Sequence, residues 1–167
     1  MQTTKVNNTS YILPSGEQVL RHQGIVLAPI AEVWKMFTTT EGLRSFMAPV
    51  VQVDFRIGGK WEASYKVDAK IGDSENIVNE ILSYLPFEML SIRIVSTPPG
   101  FPSSMVAKHL WTVMQFEATS NEQTKLKISM LGWEAGPEWD EVYTLFGRGN
   151  AYTLPNLQKR FIDGPVV

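Results

Sequence analysis

Apolar residues recur along the chain at helical spacing, then at every second position, and at helical spacing again near the C-terminus. A first strand is predicted from 18 to 27, ending before Pro29. A short helix is predicted over 30–38, because four apolar side chains share one face at 3.6 residues per turn: Ile30, Val33, Trp34 and Phe37. A second short helix is predicted from 41 to 47.

A β-hairpin follows, with one buried and one exposed face. Apolar residues alternate with polar ones from Val51 to Phe55 and from Trp61 to Val67, and Gly58-Gly59 forms the turn. The proline-rich segment Thr97–Ser103 is either a lid with Phe101 at its tip or a rigid connection. Four more strands are predicted, two before this segment and two after it, at 76–84, 89–96, 108–117 and 124–131.

The last quarter of the chain predicts one long amphipathic helix. Pro137 stands in its first turn, and Gly164-Pro165 ends it. Two glycines and Pro155 weaken the pattern, so that a kink near 151–155 or two shorter helices are expected. Seven residues fall within one narrow arc, which we call the apolar stripe: Trp139, Tyr143, Phe146, Asn150, Leu154, Leu157 and Phe161.

The order of these elements predicts an α+β domain. Consecutive strands with short connections form an antiparallel meander, and a curved sheet of six or seven strands has a concave face that the long C-terminal helix can cover. Residues 1–15 are predicted to be a flexible N-terminal arm or an added edge segment, and residues 16–167 a single domain. Because a strongly curved sheet and one helix leave space between them, we expect an internal cavity.

Composition argues against several classes of function. The chain has no cysteine, which rules out disulfides, thiolate nucleophiles and zinc–thiolate sites. Its two histidines, His22 and His109, are far apart in sequence, and we expect neither a metal nor a cofactor. The net charge is −2 without a basic cluster, so no nucleic-acid partner is expected. Apolar runs are too short to span a bilayer, and a cytoplasmic location is expected, although a mature exported form would have the same composition.

Four short segments resemble the SRPBCC superfamily, the START and birch-pollen-allergen type of helix-grip fold. They are VWKMFT at 33–38, GLRSF at 42–46, FRIGGKW at 55–61 and GWE at 132–134. Within that superfamily the chain is most similar to bacterial domains named after the activator of the heat-shock chaperone ATPase, over about residues 18–164. The resemblance implies the fold. Its members include lipid carriers, hormone and polyketide binders and cyclases, so it leaves the activity open.

Asn150 is the first candidate site residue, because its amide lies within the apolar stripe and needs a hydrogen-bond partner there. It either anchors a ligand or bonds backbone groups freed by the glycines and proline of its own helix. On the first interpretation Asn150→Leu weakens ligand binding and leaves the fold intact, whereas on the second it unfolds the protein. The other predicted ligand-binding residues are large side chains expected to point inward: Trp61, Tyr65, Met114, Met130, Tyr143 and Phe146.

Three hypotheses for function follow. The first is binding or carrying of a small apolar or amphipathic molecule between the sheet and the C-terminal helix. The second is a cyclase- or hydratase-like enzyme acting on a polyketide-type or aromatic substrate, for which the sequence identifies no catalytic residue because it contains none of the usual catalytic motifs. The third is an interaction protein with a filled interior and an outer sheet face near Trp111 and Val113. A second copy of the chain, giving a homodimer, is a further partner candidate, and no membrane insertion is expected.

Overall fold

A computed structural model describes residues 5–102 and 104–167, which form one antiparallel sheet and the helices packed on it. The helices are α1 (Ile30–Thr38), α2 (Thr40–Arg44), α3 (Ser104–His109) and α4 (Pro137–Asp163). Two short strands, β1 (Asn7–Asn8) and β2 (Tyr11–Ile12), precede the longer ones. The longer strands are β3 (Gln18–Val26), β4 (Val50–Val53), β5 (Lys60–Ser64), β6 (Ile77–Leu85), β7 (Met89–Ser96), β8 (Trp111–Ser120) and β9 (Gln123–Leu131).

The sheet confirms the predicted antiparallel meander. Strands β4 to β9 lie side by side in chain order, and β3 adds to the free side of β9, in register from Leu20 opposite Met130 to Val26 opposite Thr124. The chain crosses from β3 to β4 at the far edge through α1 and α2. With α4 as the long C-terminal helix, the α+β helix-grip fold predicted from the sequence is confirmed.

The N-terminal segment partly adds to the edge of the sheet. Residues 1–4 of the predicted arm lie outside the described residues. Beyond them, β1 and β2 both pair antiparallel with β3, and the amide of Thr9 donates a 2.8 Å hydrogen bond to the carbonyl oxygen of Arg21. Because an unpaired outer strand exposes a row of backbone donors and acceptors, this pairing satisfies part of the edge that β3 would otherwise present.

The predicted hairpin is shorter than its alternating pattern. The connection between β4 and β5 covers residues 54–59, and at Gly59 a Cβ atom would lie 1.9 Å from the carbonyl oxygen of Asp54, so the turn requires glycine there. The chain leaves the sheet after Ser64, although the alternation continues to Val67. As a result Val67 is 82% exposed and Tyr65 is 55% exposed, against the expectation that both point inward as strand residues.

A short helix stands where the sequence predicted the start of a strand. Residues 104–109 form α3, and β8 begins at Trp111, so the prediction of a strand from 108 is wrong. Val106, Ala107 and Leu110 are buried at helical spacing. A single apolar turn is too short for the sequence pattern to distinguish a helix from a strand. His109, one of the two histidines of the sequence, is exposed at the end of α3, and its ring centroid lies 6.2 Å from that of Trp139.

The long helix α4 is continuous from Pro137 to Asp163 and includes Pro155, so the alternative of two shorter helices is wrong. Leu154 and Leu157 are fully buried in the main core, while Trp139, Tyr143 and Phe146 pack against a second, smaller core that contains Trp133. Across residues 5–102 and 104–167, no helix combines the length and apolarity needed to cross a membrane.

Candidate functional site

A pocket of about 490 Å³ lies between α4 and the inner face of strands β5 to β9. Its buried wall is apolar and includes Trp61, Ile92, Met114, Ile128 and Met130. Thr112 and Met114 on β8 stand directly opposite Met130 and Ile128 on β9, so that neighbouring strands supply adjacent parts of the wall. This geometry follows from the pleat, because residues two apart on a strand share a face.

Six of the seven predicted site residues line this pocket: Trp61, Tyr65, Met114, Met130, Phe146 and Asn150. Tyr143 does not. Its ring packs edge-on against Trp133, with ring centroids 4.8 Å apart, and belongs to the second core. The stripe correctly predicted Phe146 and Asn150 as lining residues of α4. Tyr143 lies two turns before Asn150, where Trp133 fills the space beneath the helix.

The flank of α4 that faces the pocket is turned away from the centre of the apolar stripe. Leu154 and Leu157 of the stripe pack into the core. Besides Phe146 and Asn150, the pocket meets five residues of α4 that sequence reasoning missed: Leu145, Arg148, Gly149, Tyr152 and Thr153. A signal was present, because Leu145, Gly149 and Tyr152 are spaced four and three residues apart and share a second helical face beside the stripe.

A hydrogen bond from Trp61 connects the sheet wall of the pocket to α1. Its indole Nε1 donates a hydrogen bond to the carbonyl oxygen of Phe37, 3.0 Å away. Both side chains line the pocket, and both are nearly inaccessible to solvent. Because Phe37 stands in the last turn of α1, this bond also satisfies one of the carbonyl groups that a helix end leaves without a partner.

Asn150 carries a buried donor without a partner. Its Nδ2 is inaccessible to solvent and makes no hydrogen bond to any part of the chain that the structure describes. The interpretation in which this amide bonds backbone groups freed within α4 therefore has no hydrogen bond to support it. From the sheet, the neutral polar side chains of Asn79 on β6 and Thr112 on β8 also line the pocket. An unbonded buried amide costs free energy, about 1–3 kcal/mol, that a ligand acceptor would recover.

The exposed lining residues form what we call the mouth of the pocket: Tyr65, Leu145, Arg148, Gly149 and Tyr152. Partial burial raises the pKa of Tyr65 above its usual value of 10, and the nearby Tyr152 adds to this shift. Tyr65 therefore keeps its hydroxyl proton at neutral pH and remains a hydrogen-bond donor at the mouth.

The segment predicted as a lid or a rigid connection reaches the pocket. Phe101 is a lining residue, and its ring lies 6.2 Å from that of Phe146 on α4. Ser103, the last residue of that segment, lies outside the described residues. Phe101 therefore brings the segment into contact with α4 at the pocket. Movement of the segment as a lid stays a prediction.

Titratable groups are sparse around the pocket. Among the described lining residues there is no Asp, Glu or His, and no cluster of acidic or histidine side chains in the described ranges is arranged to hold a metal ion. His22 lies on β3 outside the lining, 5% exposed, and its Nδ1 has no partner among the described residues. Burial lowers the pKa of His22 below its usual value of 6.5, so this imidazole is neutral at pH 7.

The fold is shared with several solved proteins of low sequence identity. The Aha1 dimer from Colwellia psychrerythraea superposes with a TM-score of 0.64 at 15% identity, covering 87% of this chain and 97% of that one. CalU16 from Micromonospora echinospora superposes with a TM-score of 0.64 at 20% identity, covering 99% and 88%. XoxI from Bacillus cereus gives 0.62 at 14%, covering 87% and 96%. At these identities the likeness concerns the fold alone.

No curated protein sequence matches the chain significantly. A family model does: residues 27–161 match that of the activator of Hsp90 ATPase homolog 1-like proteins. This match covers the three short helices α1, α2 and α3, the strands from β4 to β9 and most of α4. It therefore includes β5 to β9 and the part of α4 that line the pocket. The chain therefore belongs to the activator of Hsp90 ATPase homolog 1-like family, within the SRPBCC superfamily that its motifs resemble.

Proposed function

We propose that this protein binds a small apolar or amphipathic molecule in the pocket between α4 and the sheet. The observation that carries the proposal is the combination of an apolar wall with one buried, unpartnered amide donor at Asn150. Ligand sites in proteins are typically apolar concavities of about 300–1,000 Å³ with a few polar groups that orient the ligand. The pocket, at about 490 Å³, falls in this range.

The shape of the wall favours an aromatic or aliphatic ligand. Trp61 and Phe37 contribute flat aromatic surfaces, and Met114 and Met130 contribute unbranched side chains that adapt to irregular shapes. Asn150 would donate to a carbonyl, ether or hydroxyl oxygen of the bound molecule, which gives a mostly apolar ligand one fixed point of orientation.

A cyclase- or hydratase-like activity is the second candidate. Asn79, Thr112 and Asn150 reach one pocket from β6, β8 and α4, and such groups orient a reactive polyketide-type or aromatic substrate by hydrogen bonding. A proton transfer at neutral pH needs an acid or base nearby, and the described lining residues include no carboxylate or imidazole. Binding is therefore the function that the geometry supports best.

Mass spectrometry of organic extracts from the natively purified protein tests the proposal. We expect one recurring small molecule at near-stoichiometric yield from the wild type. Gly149→Leu is the matched control, because a leucine at this lining position is expected to occupy pocket space and displace the ligand. If the wild-type extract is empty, the protein is titrated with the neutral fluorophore N-phenyl-1-naphthylamine. An interaction protein with a filled interior would give an extract without a recurring small molecule and would not bind the fluorophore. That pair of results would refute the proposal.

A further inference from the structure

Arg148 is a cation at the mouth of the pocket that has no ion-pair partner in the part of the chain that the structure describes. It lines the pocket from α4 and is exposed. The salt bridges found within the described residues join Lys35 to Glu32, Arg56 to Asp54, Lys66 to Glu75 and Arg93 to Glu80, and none involves Arg148. Its guanidinium is therefore available to a group outside the chain.

The other polar groups of the lining are neutral. They are the amides of Asn79 and Asn150, the hydroxyls of Thr112 and Thr153, and the phenols of Tyr65 and Tyr152. Since the described part of the lining holds no carboxylate, Arg148 gives the pocket a net positive charge in a chain whose total charge is −2. Such a site favours a ligand that carries negative charge and hydrogen-bond acceptors.

We propose that the ligand is an amphipathic carboxylic acid, with its carboxylate at Arg148 and its apolar body inside the pocket. This inference rests on the proposed function and specifies the chemical class of its ligand. Arginine presents planar donors that match a carboxylate in a bidentate arrangement. The reverse orientation would bury the carboxylate among neutral amides and hydroxyls without a cation, which costs far more free energy. The head group therefore stays at the exposed mouth, which Tyr65 also lines.

Displacement of N-phenyl-1-naphthylamine by decanoate and by methyl decanoate tests this proposal, because the two probes share an apolar chain and differ in charge. We expect the wild type to bind decanoate more tightly than the ester. Arg148→Gln should weaken decanoate binding about two- to fivefold, the range of an exposed ion pair, and leave the ester unchanged. Arg148→Lys keeps the charge without the bidentate geometry, so its affinity for decanoate should lie between those of the wild type and Arg148→Gln. Lys159→Gln changes the net charge equally on the same helix outside the lining and should have no effect.

The outcomes separate the two proposals. If the fluorophore binds but decanoate shows no advantage over the ester, or if Arg148→Gln weakens both ligands equally, the carboxylate assignment is wrong and binding of an apolar ligand stands. An equal loss of decanoate binding in Lys159→Gln would also overturn it, because the effect would then be one of net charge. If the fluorophore does not bind and the wild-type extract is also empty, the proposed function itself is refuted.

Discussion

The side-chain amide of Gln158 on α4 donates a 2.9 Å hydrogen bond from its Nε2 to the backbone carbonyl oxygen of Ile25 on β3. The neighbouring residue on β3 is Gly24, where a Cβ atom would lie 2.9 Å from the same nitrogen. The helix therefore approaches the sheet closely at β3, the strand at one side of the sheet. The space above the other strands stays open on the opposite flank of α4, and this is where the pocket lies.

Gly24→Ala is expected to destabilise the protein by about 1–3 kcal/mol. The added methyl group displaces the amide of Gln158, which is 4% exposed and would lose its acceptor without reaching water. Urea unfolding followed by circular dichroism measures the change in the free energy of unfolding.

The effect of Gly24→Ala should depend on Gln158. In a Gln158→Met background, the side chain is similar in length but has no amide to displace, so the same alanine should cost clearly less. A double-mutant cycle isolates this coupling. Equal costs in both backgrounds would mean that the close contact at Gly24 does not involve the Gln158 hydrogen bond.

The lateral position of α4 explains which parts of the site could be predicted from the sequence. The alternation of β5, β8 and β9 fixed the inward direction of Trp61, Met114 and Met130, because side-chain direction along a strand depends on local spacing alone. The spacing of Gly149 and Tyr152 puts them on one helical face, but it does not show that this face meets the pocket. Their exposure to the pocket follows from a contact between residues 25 and 158, which are 133 positions apart.

The ends of elements were harder to predict for a related reason. The alternating pattern continues to Val67, but β5 ends at Ser64. Ala63 pairs with Ile77, the first residue of β6, so residues beyond Ser64 have no partner on that strand. Pairing partners, and not the pattern of one strand, decide where that strand ends. Tyr65 is consequently at the mouth of the pocket and not on its wall.

Gly149→Leu is expected to stabilise the fold and block the pocket. Outside its own helical turn, no atom of the described residues would lie within 4 Å of a Cβ at Gly149, so packing does not require glycine there. Replacing a glycine within a helix gains up to about 1 kcal/mol. Thermal unfolding should therefore shift upward while binding of N-phenyl-1-naphthylamine is lost.

Two variants on the same helix serve as controls for Gly149→Leu. Gly147→Ala gives the gain in helix propensity at a position outside the lining, where the new Cβ would meet only Leu20, at 4.0 Å. Ala151→Leu adds a leucine at an exposed position outside the lining. Both should bind the fluorophore as the wild type does. Undiminished binding by Gly149→Leu would show that the fluorophore occupies another site.

Asn150→Leu should leave the fold intact and weaken the binding of ligands that carry an acceptor. The buried Nδ2 has no partner to lose among the described residues, so its removal should leave stability unchanged or raise it by about 1–3 kcal/mol. Competition with N-phenyl-1-naphthylamine should show binding of 2-undecanone weakened about two- to tenfold, the range of one hydrogen bond, with undecane unaffected. Asn156→Leu, on the same helix outside the lining, should bind both compounds as the wild type does. A loss of several kcal/mol in Asn150→Leu would instead assign Asn150 a structural role.

His22 is expected to make the protein less stable as the pH falls below about 6.5. Burial lowers the pKa of His22 in the folded state, so between that lowered pKa and 6.5 the unfolded chain binds a proton that the folded chain does not. The free energy of unfolding then decreases with falling pH by at most about 1.4 kcal/mol per pH unit from this residue, and the contribution is constant above 6.5.

The difference between wild type and His22→Met isolates this contribution, because acidic groups titrate alike in both proteins. Urea unfolding between pH 5 and 8 should show His22→Met gaining stability relative to the wild type as the pH falls. Parallel curves for wild type and His22→Met would mean that His22 takes up its proton equally in the folded and unfolded states, and that its burial does not keep the imidazole neutral.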